Sequence, residues 1–215
     1  MTTLSNNNKI GFYKFLNGDK TVSELESFIY GQTDLEHQLT SDIYIELISF
    51  DFKDKYVIAK LPDFIKQKLI DEGQFETWKL RTILNNFLTD YKNLRIYLDK
   101  LYHSYFGVYQ DNGKRKYEFK FLANLGLNYL WWVDEAYLKT TYGENWKIEY
   151  DKCFDNFEFY QQQLKPFADQ ILTALHTKQI IILNDGTYNI SDELKADLET
   201  DKIYELKHPD KKYSR

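Results

Sequence analysis

The 215 residues read as a mainly α-helical chain, a multi-helix bundle-like body that ends in a small C-terminal β-hairpin. Three observations predict this. Apolar residues recur at three- and four-residue steps through most of the chain, the mark of helices with one buried stripe. Gly stands at 9 and Pro at 3 while aromatic residues reach 17%, a composition suited to packed helices and poor in loops. Only at Ile180-Ile-Ile-Leu-Asn-Asp-Gly-Thr-Tyr-Asn-Ile190 does a β-favouring run double back, and its Asp185-Gly186 pair suits a tight type I′ turn.

Taken in order, Ile10, Phe12, Tyr13, Phe15 and Leu16 form a first helical stripe, stopped by Asn17-Gly18. Thr21-Val-Ser-Glu24 has the form of a capping box and opens a helix that buries Leu25, Phe28 and Ile29 and ends at Gly31. A third helix starts near Ser41 with Ile43, Tyr44, Leu47, Ile48 and Phe50 inward. Residues 55–61 fit a strand or a helical turn equally well. Pro62 suits the first position of a helix running to about Asp71. Phe75 to Thr89 is the next helix, followed by one marked by Leu94, Leu98, Leu101 and Tyr105. Asp111 to Lys116 reads as an exposed loop. Tyr117 to Tyr142 then reads as one long helix with Phe121, Leu125, Tyr129, Trp132 and Ala136 in near-heptad register, broken at Gly143. Trp146 to about Lys178 carries the longest stripe, with Cys153, Phe157, Leu164, Ala168, Ile171 and Leu175 inward, and Pro166 predicts a kink or a break. Ser191-Asp-Glu caps a last short helix. A two-stranded hairpin is marginal alone, so this one must rest on helices, on another chain, or on a third strand from residues 55–61. With no Pro/Gly/Ser linker and no repeat, one domain is expected over 1–215, comprising a short-helix module (1–52), a long-helix body (62–178) and the hairpin with its helix (180–200).

Net charge is −5, and the acid collects late: residues 121–215 hold 16 carboxylates against 11 cations. That balance disfavours a general nucleic-acid binder and would draw a basic partner to this stretch. The single Cys153 and the polar, uncharged N-terminus lead us to expect a cytoplasmic protein without a secretory leader. Purely apolar runs such as Ile180 to Leu183 are far short of the roughly 20 residues of a membrane span.

No residue pattern points to a reaction, so a non-enzymatic role without cofactor or metal is expected. His37, His103, His176 and His208 have no metal-ligand spacing among themselves, and Glu205-x-x-His208 is one pair where carboxylate-bridged metal sites use two. Asp99 and His103, one helical turn apart, suit a surface ion pair better than an oriented base. Cys153, on an apolar stripe beside aromatic rings, reads as a buried thiol with a raised pKa. An enzyme assembled from Asp99, His103 and Glu135 would need these groups to meet in one cleft. Lys114-Arg115-Lys116, with the hairpin as a wing, supports a nucleic-acid-associated regulator as the alternative function.

The most suggestive segment is Asp151-Lys-Cys-Phe-Asp-Asn-Phe-Glu-Phe-Tyr160. With Cys153, Phe157 and Leu164 inward, Asp151, Asp155 and Glu158 fall outward with Phe159 among them. An aromatic ring amid carboxylates can anchor a basic protein, the ring by desolvated area and the acids by steering and pairing. A second layer of core over the helix is the competing reading. Trp131 raises the same question, because adjacent Trp131 and Trp132 cannot both point inward. Asp151, Asp155, Glu158, Phe159 and Trp131 are therefore the expected partner-binding residues.

Phe12-Tyr-Lys-Phe-Leu-Asn-Gly18, Leu25-Glu-Ser-Phe-Ile-Tyr-Gly31, Leu35-Glu36 and Tyr44-Ile-Glu-Leu-Ile-Ser-Phe50 open the chain, and Leu183-Asn-Asp-Gly-Thr-Tyr188 with Ser191-Asp-Glu-Leu194 lie near its end. In these segments, roughly the first 50 and last 30 residues, the chain resembles small bacterial cytosolic immunity proteins that accompany polymorphic or contact-delivered toxins. The resemblance implies a stoichiometric inhibitor that covers or plugs a toxin, with a basic toxin domain as a candidate partner. It maps no binding residue.

Overall fold

The computed structural model describes residues 4–110 and 113–207, apart from the side chains of residues 130–132 and 154. The chain is mainly helical, with two small antiparallel hairpins. It forms two units, Met1–Lys79 and Leu80–Arg215. The division falls inside a helix at a point with no Pro or Gly, so no linker composition marks it.

The first unit begins with α1 (Asn6–Leu16), capped by the Ser5 hydroxyl, and α2 (Val22–Gly31), whose Thr21–Glu24 capping box is complete. A four-residue helix that the sequence does not announce, α3 (Leu35–Gln38), follows. It is tied to α1 by Asn8, whose Nδ2 donates to Gln38 Oε1 at 3.0 Å and to Asp34 Oδ1 at 3.2 Å. In α4 (Ser41–Ile48) Leu47 is buried, and Ile43, Tyr44, Ile48 and Phe50 lean on the same core as the spacing predicts.

Residues 55–61 resolve as a turn at 55–56 followed by helix from Val57, not as a strand. The side chains of Asp51 and Asp54 accept from the backbone N–H groups of Lys53 and Tyr56, turning the chain into α5 (Val57–Phe64). Pro62 is thus inside α5 and not at its first position. Its missing N–H withdraws one intrahelical bond, and the five residues after α5, Ile65–Leu69, follow a wider π-helical turn. Next, α6 (Glu72–Thr89) starts three residues before Phe75, because the Asp71 carboxylate accepts from Gln74 N–H at 2.8 Å. Phe12, Leu25, Leu47 and Leu61 form the centre of this unit's core.

In the second unit, the end of α6 packs with α7 (Leu94–Phe106), which closes at Gly107. The predicted loop at 111–116 lies within a short hairpin, β1 (Val108–Tyr109) paired with β2 (Arg115–Lys116), of which residues 111 and 112 are outside the described residues. The long helix expected over 117–142 is divided instead. A 3-10 turn at Lys120–Leu122 leads into α8 (Ala123–Trp132), and α9 (Glu135–Tyr142) restarts where the Asp134 carboxylate accepts from Tyr137 N–H at 2.7 Å. The heptad stripe ends at that turn: Phe121, Leu125 and Tyr129 are buried, but Leu138 takes the inward place in α9 and Ala136 is exposed.

The segment 146–178 is also two helices, α10 (Trp146–Phe154) and α11 (Phe157–His176). The break lies at Asp155–Asn156, not at Pro166, which sits inside α11 on its exposed side. There the carbonyl four residues earlier, on exposed Gln162, can turn to water, so the ring interrupts one bond without ending the helix.

The C-terminal hairpin, β3 (Ile180–Ile182) with β4 (Tyr188–Ile190), is where the sequence places it, but its turn is not type I′. Type I′ needs positive φ at two positions, whereas among residues 183–187 only Gly186 has one, at 83°. Gly186 N–H donates to Leu183 O and Leu183 N–H to Thr187 O, a three-residue loop with glycine in the left-handed position. Among the described residues no third strand joins; Ile180 and Ile182 sit in the helical core of this unit beside α11. After α12 (Asp192–Leu198), residues 203–207 cross α8 and α11. Ser191 precedes α12 without capping it through its hydroxyl, which is buried without a hydrogen-bond partner among the described residues.

Candidate functional site

The corner between α10 and α11 is built by two opposed stripes. Cys153, Phe157, Tyr160 and Leu164 point into the core, which fixes the other side of the chain toward solvent. Asp155 closes α10 with its N–H on Asp151 O, and Asn156 spends its side chain on Lys152 O at 2.7 Å. Asp151, Asp155 and Glu158 are consequently exposed, and none of the three carboxylates forms an ion pair among the described residues. Phe159 is 41% exposed and meets Tyr160 edge-on at 6.1 Å between ring centres. The side chain of Trp131 lies outside the described residues, so four of the five expected partner-binding residues can be placed.

Ile148 belongs with them although the sequence reading passes over it. It is 56% exposed and stands three residues before Asp151 and seven before Asp155, on the same helical face. The available signal was its offset from the buried Cys153 stripe. Ile148 and Phe159 are exposed apolar side chains on the two helices that carry Asp151, Asp155 and Glu158, and exposed apolar area with carboxylates can desolvate against and steer a cationic partner.

The other candidate groups of the sequence, Asp99, His103 and Glu135, lie in pairs open to solvent. His103 Nε2 lies 3.5 Å from Asp99 Oδ1, and burial, with the Asp99 carboxylate as a smaller cause, pushes the Tyr129 hydroxyl up to about 12. Glu135 faces Arg95 at 3.8 Å and Lys139 at 3.4 Å, and Arg95 donates to Tyr150 Oη at 2.7 Å. In the basic segment 114–116, Arg115 is held between rings, over Tyr109 and Phe106, and donates to the Tyr109 hydroxyl at 2.6 Å. That bond raises its pKa further, and Glu118 lies 3.8 Å away. Among the described residues no group of three His, Cys, Asp or Glu side chains is placed to hold a metal ion, and no helix is long and apolar enough to cross a membrane. His208 lies outside the described residues.

Burial pushes the Cys153 thiol from its ordinary value of 9.0 to about 12. The unfolded chain then loses this proton first as pH rises, so the contribution to stability is fully present below pH 9 and is lost as pH climbs toward 12. At about 1.4 kcal/mol for each pH unit of displacement, the loss is of order 4 kcal/mol. Urea midpoints measured at pH 8, 9.5 and 11 should fall steadily, and fall less steeply in Cys153→Ala; equal slopes in both proteins would refute the assignment to this thiol.

Compared with known proteins, the chain matches no family model, no curated protein and no solved structure.

Proposed function

We propose that this chain is a non-catalytic protein-binding protein, an immunity protein that neutralises a cognate bacterial toxin by covering it. The observation that carries this reading is the α10–α11 corner, where Phe159, Asp151, Asp155 and Glu158 are all exposed and the three carboxylates have no ion-pair partner of their own among the described residues. Unpaired charge around an apolar anchor is what a partner can use, because the attraction has not been spent within the chain. The resemblance of the first 50 and last 30 residues to toxin immunity proteins supports the same role. The nucleic-acid alternative is weaker on this evidence, since Arg115, the central cation of its basic segment, is engaged by Tyr109 and Phe106.

The test is protection. Co-expressed with the product of the neighbouring open reading frame, the chain should relieve growth arrest and co-purify with that product in a fixed ratio. Phe159→Ala combined with Asp155→Ala should weaken the complex by about 2 kcal/mol, close to 30-fold in Kd. Added salt should slow association more than it speeds release. A folded double variant that protects and binds unchanged would remove this corner from the interface; failure of the unaltered chain to protect would overturn the function.

A further inference from the structure

We propose that residues 208–215 form a cover for the α10–α11 corner, lying along the first turn of α11 with Pro209 against Phe159 and with Lys211, Lys212 and Arg215 toward Glu158, Asp155 and Asp151. The cover itself is independent of the function proposed above. Its consequence, that a basic partner must displace this segment to reach the corner, rests on that reading.

The chain is delivered to this place by residues 203–207, which belong to no helix or strand and run against the direction of α11. The Tyr204 ring lies 5.4 Å from Phe167, and Lys207 is bonded one helical turn earlier, at Gln163. Carboxamide side chains clamp this course. Tyr204 N–H donates to Asn124 Oδ1 at 2.7 Å, and Asn128 Nδ2 donates to Tyr204 O at 3.1 Å. Lys207 N–H donates to Gln163 Oε1 at 2.7 Å while Gln163 Nε2 donates to Lys207 O at 3.0 Å. The same Nε2 lies 3.4 Å from Phe159 O, so the carbonyls of Lys207 and Phe159 meet on one amide nitrogen. Phe167, Gln163 and Phe159 form a single row at four-residue steps, and the next side chain the segment meets along it is the exposed Phe159 ring.

The residues that follow Lys207 suit this surface. Pro209 biases His208 toward an extended conformation, which carries the chain onward instead of back into a helix, and a proline over an apolar ring leaves no N–H in need of an acceptor. Residues 208–215 hold Lys211, Lys212 and Arg215 against the one acidic side chain of Asp210, whereas the corner presents Asp151, Asp155 and Glu158 unpaired among the described residues. Eight extended residues reach roughly 26 Å, and from Gln163 back to Phe157 the helix rises only about 9 Å, so the cations pass the start of α11 with length to spare. Exposed ion pairs are individually weak. The cover therefore turns away weak competitors and gives way to a partner that brings more positive charge and apolar area.

The full chain carrying Ser214→Cys is labelled with a nitroxide at that position, Cys153 being buried, and the intensities of its 15N amides are read. At about 20 mM salt the amides of Asp155, Glu158 and Phe159 should lose about half of their intensity or more, and regain it at about 0.5 M, where charges beyond roughly 5 Å are screened. Lys211→Glu, Lys212→Glu and Arg215→Glu together should abolish the loss, and adding Asp155→Lys with Glu158→Lys to that variant should restore it. The proposal is overturned if these amides keep their intensity, or if their broadening ignores both salt and charge reversal. It is equally overturned if broadening arises only between molecules, when 15N chain without the label is mixed with labelled 14N chain, which would assign the corner to a second copy. A chain that shows the effect within one molecule yet gives no protection keeps the cover and loses the function; one that protects without it loses the cover alone.

Discussion

Replacing Phe121 by alanine should destabilise the Leu80–Arg215 unit by about 3–5 kcal/mol. The ring is 1% exposed, stacks on Phe119 at 5.5 Å and receives Tyr188 of β4 edge-on at 4.9 Å. Its removal takes away the transfer free energy of a whole ring and two aromatic contacts of about 0.5–1.5 kcal/mol each. Collapse into the space is limited, since Leu122 and Leu125 beside it are themselves fully packed. Because Tyr188 loses the surface against which it rests, β3–β4 should loosen together with the start of α8. Hydrogen exchange during a denaturant titration would register both. A loss below about 1 kcal/mol would mean that the neighbours close the space, contrary to this account.

Gly107→Ala should cost about 3 kcal/mol or more, through the backbone and not the core. Gly107 ends α7 with φ 66° and ψ −172°, a region open essentially to glycine alone. A Cβ there would stand 2.7 Å from Lys116 O and 2.8 Å from Glu118 N, both main-chain atoms that no rotamer change can move. The strand pairing of Val108 with Lys116 and the bond from Phe119 N–H to Ser104 O, at 3.0 Å, lie on either side of this contact and should weaken together. Gly113→Ala supplies the control: φ is also positive, 75°, but nothing lies within 4 Å of the added carbon. Its cost should stay near 1 kcal/mol, the conformational part alone. Equal destabilisation of the two variants would show that the close approach at Gly107 is unimportant.

The sequence discloses elements whose signals are local. The Thr21–Glu24 box, the start at Ser41, the buried stripe of α11 and the existence of the C-terminal hairpin depend on side chains within a few residues of one another. Errors arise where one local signal competes with another. Asp134 caps α9 through a single hydrogen bond in the middle of an unbroken apolar register, so the register prevails on inspection and the cap in the folded chain. Pro166 carries a strong breaking signal, yet its position on the solvent side of α11 makes the interruption tolerable, while Asn156 ends the preceding helix with less notice. The short α3 is held by Asn8 from 26 to 30 positions away, beyond any local window. At the candidate corner, the outward direction of Asp151, Asp155, Glu158 and Phe159 follows from the stripe opposite them. The clamp on residues 203–207 could not be read, because Asn124, Asn128 and Gln163 meet the segment only after folding.

The sealed environment of Cys153 has a practical corollary. An alkylating reagent attacks the ionised sulfur, and in the native chain that sulfur is both protonated at neutral pH and 1% exposed. Reagent consumed at this residue therefore counts excursions in which the surrounding helices part. The chain carries its own gauge of core opening, and a second cysteine installed on an outer surface would react with a dye without competition from the first.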